Sequence, residues 1–319
     1  MRSTLDELKN ELGELRALVE SIEPVNIAIA GHQDARILRY AQVRRRFDYA
    51  AFAVALYASF EKFVENLVAS CARLESRRVQ YTGLPKQLVK KHLSRTAEML
   101  HRGRIGEGRY AGLTVQGVVK NLFECMSGVM PYALNEAAVI AHDVNLRKDE
   151  INSLFAAIGI DNICECVCEA DELLSWYRTE GDRDIGVVPM TAIDVRITDI
   201  VDRRNQVAHR GGNLDDLPGP DRMSNAISFI ESFSKSLYAM AVGQYLRNHY
   251  IEPGHGIRIA QRQNDGPYRD GTVVVVEKPA QRLFIRQPVF AIRDNIVRWG
   301  RIQSMMVDNE PVDVVEQNH

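Results

Sequence analysis

The residues best equipped for chemistry lie in one run, Asp202-Arg203-Arg204-Asn205-Gln206-Val207-Ala208-His209, which continues into Arg210-Gly211-Gly212. Arg204 offers a planar cation that can grip a phosphate through two parallel hydrogen bonds. His209 supplies an imidazole, the side-chain type whose unperturbed pKa lets it give or take a proton at physiological pH. Asn205 adds an amide between them, and no metal-ligand carboxylates cluster nearby. A fixed cation plus a group that titrates near pH 7 is what metal-free cleavage of RNA requires. Taken alone, the same pattern also describes cations decorating a helix C-terminus, where the macrodipole favours each by about 0.3–1 kcal/mol.

The spacing puts a condition on that chemistry. Five positions separate Arg204 from His209, so on an ideal helix they differ by about 140° in angle and about 7–8 Å in rise. The two side chains do not converge unaided. A long Arg can reach along the helix, or a second copy of the chain can bring its own pair across a two-fold axis.

The element that carries the run is predicted as a helix over Thr191–His209, with Ile193, Ile197, Ile200, Val201 and Ala208 as its buried stripe and Gly211-Gly212 as its stop. Before it, Thr4–Ser21 reads as an amphipathic helix with leucines at helical spacing, ended by Pro24, a natural packing or dimer element. Ala35–Arg73 follows as one long or two abutting helices with an acid, Glu61, on a broad apolar face; a structural partner such as Arg204 or Arg203 is expected for it. Leu84–Leu100, Val115–Phe123, Lys148–Ile158, Ile163–Tyr177 and Met223–Asn248 are further helices. After Pro253, β-branched runs at Gly271–Glu277, Gln281–Arg286, Val289–Arg293 and Ile296–Ile302 predict four or five short strands. The expected architecture is mostly α: an N-terminal amphipathic helix and linker (1–34), a helical bundle domain (35–250), and a small C-terminal β-barrel or sandwich (253–319).

Between Arg73 and Arg109 lie ten Lys or Arg against three acids, with His92 and His101 added. Lys90-Lys91 and Arg102-Gly103-Arg104 are its densest parts and, with Arg203, the candidate substrate-binding cations; each phosphate contact adds a salt-dependent attraction. Arg44-Arg45-Arg46 is a weaker case. The alternative is a solvated helix face. In the C-terminal strands, Arg282, Arg286, Arg293, Arg298 and Arg301 with Phe284, Phe290 and Trp299 suit either single-stranded nucleic acid or a protein partner.

Composition bounds the rest. A net charge of −2 argues against a sequence-blind coating of nucleic acid while leaving room for a local basic site. The longest apolar run, Tyr49–Phe60, is bracketed by Asp48 and Glu61 and is a buried helix, not a membrane span. Five cysteines, an odd number, point to a reducing, cytoplasmic compartment. Cys164 and Cys168 share a helix face while Cys166 points away, and no fourth ligand lies close, so they read as small buried hydrophobes, not zinc ligands.

Arg204-Asn205-x-x-Ala208-His209 resembles the Arg-x4–6-His signature of HEPN domains, closest to the RiboL-PSP-HEPN branch, with Arg210 departing from the pattern by separating His209 from the first glycine. Phe60-Glu61-Lys62-Phe63-Val64-Glu65 is similar to a segment near the start of those domains, and the resemblance covers about residues 35–247. It implies a metal-independent endoribonuclease without cofactor, in which the substrate's 2′-hydroxyl attacks the adjacent phosphate to leave a 2′,3′-cyclic phosphate. Arg204 would stabilise the phosphate, His209 transfer the proton, and Asn205 orient one or the other. It further implies RNA as substrate, a homodimer with a composite site, a toxin–antitoxin or anti-phage role, and an antitoxin or sensor protein as partner. The alternative is a non-catalytic HEPN-like scaffold that binds RNA or protein.

Overall fold

A computed structural model describes residues 1–181, 185–210, 217–259, 273–293 and 296–317. The chain divides into two compact units, Met1–Tyr238 and Ala239–His319. Ten α-helices lie among the described residues: α1 (Arg2–Ala30), α2 (Ala35–Ser76), α3 (Lys86–Arg102), α4 (Val115–Met126), α5 (Glu136–Val139), α6 (Lys148–Ala157), α7 (Ile163–Cys166), α8 (Asp171–Thr179), α9 (Met190–Arg210) and α10 (Pro220–Leu246).

Helix α2 is the spine of the first unit. The Asp34 carboxylate caps it by accepting from the Arg36 N–H at 2.8 Å. Its face of Leu56, Phe60, Val64 and Leu67 is at most 2% exposed, and each such side chain contributes about 1.5–3 kcal/mol by leaving water. Against it pack α1, through Leu8, Leu12 and Val19, and α9, through Ile193, Ile197 and Val201. Phe233 of α10 meets Phe60 at 6.0 Å between ring centres. On the other flank α3 packs on α4, α5 and α6, and Gly103 ends α3 in the left-handed conformation (φ 63°).

Three expectations for the helices are corrected. Pro24 does not end α1, which continues to Ala30; Pro24 and Glu20 are exposed, so water can serve the Glu20 carbonyl that lacks its helical donor. The helix expected over Ile163–Tyr177 breaks at Ala170, whose backbone is extended (ψ 131°). There the Cys168 carbonyl accepts from the Val188 N–H at 2.9 Å instead of from the next turn. Ala208 is exposed and Val207, about 100° round the same turn, is buried in its place. The Gly211-Gly212 stop lies outside the described residues.

Among the described residues the second unit holds six short strands in three antiparallel pairs. β1 (Leu283–Phe284) pairs with β6 (Val314–Val315), β2 (Pro288–Arg293) with β3 (Ile296–Arg301), and β4 (Met305–Val307) with β5 (Glu310–Val312). Asp308 and Asn309 both take positive φ (51° and 67°), which gives the tight turn whose twist suits a hairpin. The strand expected over Gly271–Glu277 is not formed: Val273 makes one bridge, Val274–Val276 lie outside any strand, and Gly271 and Thr272 are outside the described residues. Gly243 of α10 lies against β3, where an added Cβ would stand 3.4 Å from Val297.

Candidate functional site

Arg204, Asn205 and His209 sit on the last two turns of α9. The structure brings Arg204 and Asn205 together: Arg204 Nη1 donates to Asn205 Oδ1 at 3.1 Å. The Arg204 guanidinium also stands 5.3 Å from the centre of the Tyr57 ring on α2, in cation–π range. His209 is exposed, and among the described residues it has no hydrogen-bond or ion-pair partner. Arg203 turns away from this group. It donates to Asp199 at 2.8 Å and to the Tyr49 hydroxyl at 3.4 Å, in a cleft of about 760 Å³ also lined by Arg196 and Asn225.

Behind Arg204 and Asn205 runs a polar chain that sequence reasoning missed. Asn145, in the stretch between α5 and α6, donates from Nδ2 to Asn205 Oδ1 at 3.1 Å. The Tyr57 hydroxyl accepts from the buried Leu146 N–H at 3.0 Å and donates to Glu61 Oε1 at 2.8 Å. Burial, with Glu61 adding to it, holds the Tyr57 phenol well above its ordinary range. Arg147 pairs with Asp202 on α9. Glu61 therefore has a structural partner, but it is Tyr57, with His142 Nε2 3.8 Å away, rather than the expected Arg204 or Arg203.

His142 is the second group that was missed. Its side chain is 6% exposed. Nδ1 lies 2.7 Å from the Val144 carbonyl and Nε2 lies 2.8 Å from Glu65 Oε1, which also receives Arg109. A carbonyl and a carboxylate offer no proton, so both ring nitrogens must carry one. The hydrogen bond to Glu65 accordingly raises the His142 pKa against the opposing effect of burial. His142 is a buried imidazolium between two acids one helical turn apart.

The basic segment of α3 is less uniform than its composition suggested. Lys90 is exposed, whereas Lys91 is half-buried and its ammonium is lowered to about 8, chiefly by burial. His92 is fully buried: Nε2 accepts from the Asn135 N–H at 2.9 Å, and Nδ1 lies 2.8 Å from the Tyr81 hydroxyl. Burial pushes it down to about 4, so it is a neutral core residue and no phosphate ligand. Arg102 pairs with Glu98, and Arg104 is exposed in the loop beyond Gly103. No hydrogen bond joins Lys90, Lys91, Arg102 or Arg104 to the α9 group among the described residues. Arg44 is buried against Asp48 at 2.9 Å, which removes it from the surface cations.

Cys164 and Cys168 are buried and Cys166 is exposed, and among the described residues no three His, Cys, Asp or Glu side chains converge as a metal site requires. No helix among them is long and apolar enough to cross a membrane.

Comparison with curated proteins and with solved structures returned no match. The family model RiboL-PSP-HEPN matches residues 6–240, taking in most of α1 and all of α2 to α9. HEPN domains point to a nuclease or RNA-binding role. Matched over well more than half its length, with the helical architecture in place, the chain belongs to the RiboL-PSP-HEPN family.

Proposed function

We propose that the protein is a metal-independent endoribonuclease whose reacting groups are Arg204, His209 and Asn205, acting as a toxin or anti-phage effector. One observation carries this reading: α9 holds Arg204 in a fixed cradle and presents His209, unpaired among the described residues, on its exposed final turn. A cation fixed in advance costs no reorganisation when charge builds on the phosphate. An exposed imidazole that no neighbour among the described residues engages is sterically free to reach a substrate hydroxyl and exchange a proton with it.

The 2′-hydroxyl of RNA attacks the adjacent phosphorus in line as His209 takes its proton. Arg204 offsets the negative charge that develops on the phosphoryl oxygens. The P–O5′ bond breaks as the 5′-oxygen of the next nucleotide takes a proton from water, His209 returns its own proton to solvent, and the product ends in a 2′,3′-cyclic phosphate. The rise between Arg204 and His209 suits a homodimer in which the Arg204 and His209 pairs of both protomers line one shared cleft across a two-fold axis. Lys90, Arg102 and Arg104, exposed along one segment, are suited to hold the RNA strand by its phosphates, with Lys91 and Arg203 in supporting places. An antitoxin or sensor protein would restrain such an activity in the cytoplasm.

The test is incubation of purified protein with a mixed RNA pool in EDTA, beside Arg204→Ala and His209→Ala. Cleavage by wild type alone, with cyclic-phosphate ends, is the expected result; loss of cleavage on chelation would overturn the metal-free mechanism. A non-catalytic RNA- or protein-binding scaffold is the second reading, favoured by the absence, among the described residues, of any group that orients the His209 ring. It predicts RNA retention without cleavage, unchanged by His209→Ala.

A further inference from the structure

We infer that Asn145 is a positioning residue for the α9 motif, clamping the Asn205 amide so that its oxygen is fully engaged inside and only its N–H donors face the substrate. The inference rests on the nuclease reading for its functional meaning, though the clamp itself can be observed without it.

The orientation follows from donors and acceptors alone. A guanidinium only donates, so the Asn205 atom 3.1 Å from Arg204 Nη1 is the amide oxygen. The same oxygen lies 3.1 Å from Asn145 Nδ2. Its two lone pairs are thereby used, and the Asn205 NH2 group has no partner among the described residues. Donors alone, next to a fixed guanidinium, match the anionic oxygens of a phosphodiester.

Asn145 can impose this because the stretch that carries it is tied down on both sides. Leu146 N–H is held by the Tyr57 hydroxyl, which lies 2.8 Å from Glu61 Oε1 and 3.5 Å from Asn145 Oδ1. His142, three residues before Asn145, is fixed through Glu65 of α2, and Arg147, two residues after it, is fixed to Asp202 of α9. The segment thus bridges α2 and α9, and Asn145 meets the motif through Asn205.

The experiment compares Asn145→Asp with Asn145→Ala by steady-state cleavage of RNA and by melting temperature. Asp keeps the volume of Asn but cannot donate. Asn205 must then turn its NH2 inward and its oxygen toward the phosphate. The expected result is a fall in kcat of about a hundredfold for Asp and about tenfold for Ala, with KM little changed and both variants folded. If Asn145 only fills space, the order reverses, with Asp close to wild type; that order, or equal activity in all three proteins, would overturn the proposal.

A second arm reads the clamp directly by NMR of arginine labelled in its guanidinium. Arg204 should show separate, slowly rotating Nη signals in wild type and merged ones in Asn145→Ala. If wild type cleaves no RNA while this change is seen, the clamp stands and the nuclease reading falls. Unaltered Arg204 signals in Asn145→Ala would sink the clamp whatever the activity.

Discussion

His92 and His142 are both enclosed by protein yet carry opposite charge states, so the two should give the helical unit opposite responses to pH. His92 accepts a backbone N–H and is neutral, with its pKa lowered by burial from an ordinary 6.5 to about 4. The unfolded chain takes up this proton near 6.5 and the folded chain does not. Stability from His92 is therefore complete above pH 6.5 and drains as the pH falls toward 4. At about 1.36 kcal/mol per pH unit, the whole loss is about 3 kcal/mol. His142 is raised by its hydrogen bond to Glu65. Its contribution is complete below pH 6.5 and drains as the pH rises through its elevated value. Urea unfolding followed by helical circular dichroism, at about pH 4.5, 6 and 8, would compare wild type with His92→Gln and His142→Gln. The gap between wild type and His92→Gln should narrow on acidification by most of that 3 kcal/mol, roughly 1 M in urea midpoint for a slope of about 3 kcal/mol per molar. The gap for His142→Gln should narrow in the alkaline direction. Curves for wild type and His92→Gln that stay parallel from pH 8 to 4.5 would refute the assignment of a neutral, buried imidazole.

Other substitutions separate the strong contacts from the weak. Tyr57→Phe leaves the Leu146 N–H buried without an acceptor; it should cost about 1–3 kcal/mol, a drop of several degrees in melting temperature by calorimetry. Arg73→Ala should change stability by under about 1 kcal/mol in the same measurement, although Arg73 makes two hydrogen bonds of 2.6 and 2.7 Å to Glu136, because both side chains are largely in water (49% and 40% exposed). In the second unit, a Cβ at Gly256 would stand 3.0 Å from the Phe290 ring and 3.4 Å from the Tyr250 carbonyl. Gly256→Ala should therefore destabilise that unit by about 1–3 kcal/mol, read as faster hydrogen exchange in β2 and β3 with α2 and α9 unchanged.

The long helices were legible because each carries a 3.6-residue apolar period over several turns: α2 and α9 show it in Phe60, Val64 and Leu67 and in Ile193, Ile197 and Val201. The Arg204-Asn205-His209 group could be proposed from sequence because it lies within one turn and a half of one helix. Its support could not. Asn145 lies 60 positions from Asn205 and His142 lies 77 from Glu65, and nothing in either neighbourhood of sequence announces the other. Glu61 announced itself as an acid on an apolar face, but which partner satisfies it depends on how the Asn145 stretch docks, a tertiary fact. Among the strands, β2 and β3 were legible in Val289–Arg293 and Ile296–Ile302, and the failures ran the opposite way. Val273–Val276 has strong β propensity and little pairing, whereas β4 to β6 are two or three residues each and too short to show alternation. Asp308-Asn309 was the one local signal available there, a turn pair suited to positive φ.

Tyr57, Glu61 and Glu65 stand at four-residue steps on α2, spanning about 12 Å along a rigid rod. Their order along that rod matches the order of what they touch: Leu146 with Asn145, then His142, then Arg109. Inserting or deleting one residue between them would turn every later side chain by about 100° and uncouple all three contacts together. Between Tyr57 and Glu65, α2 can therefore accept substitution at its exposed positions but not a change in count.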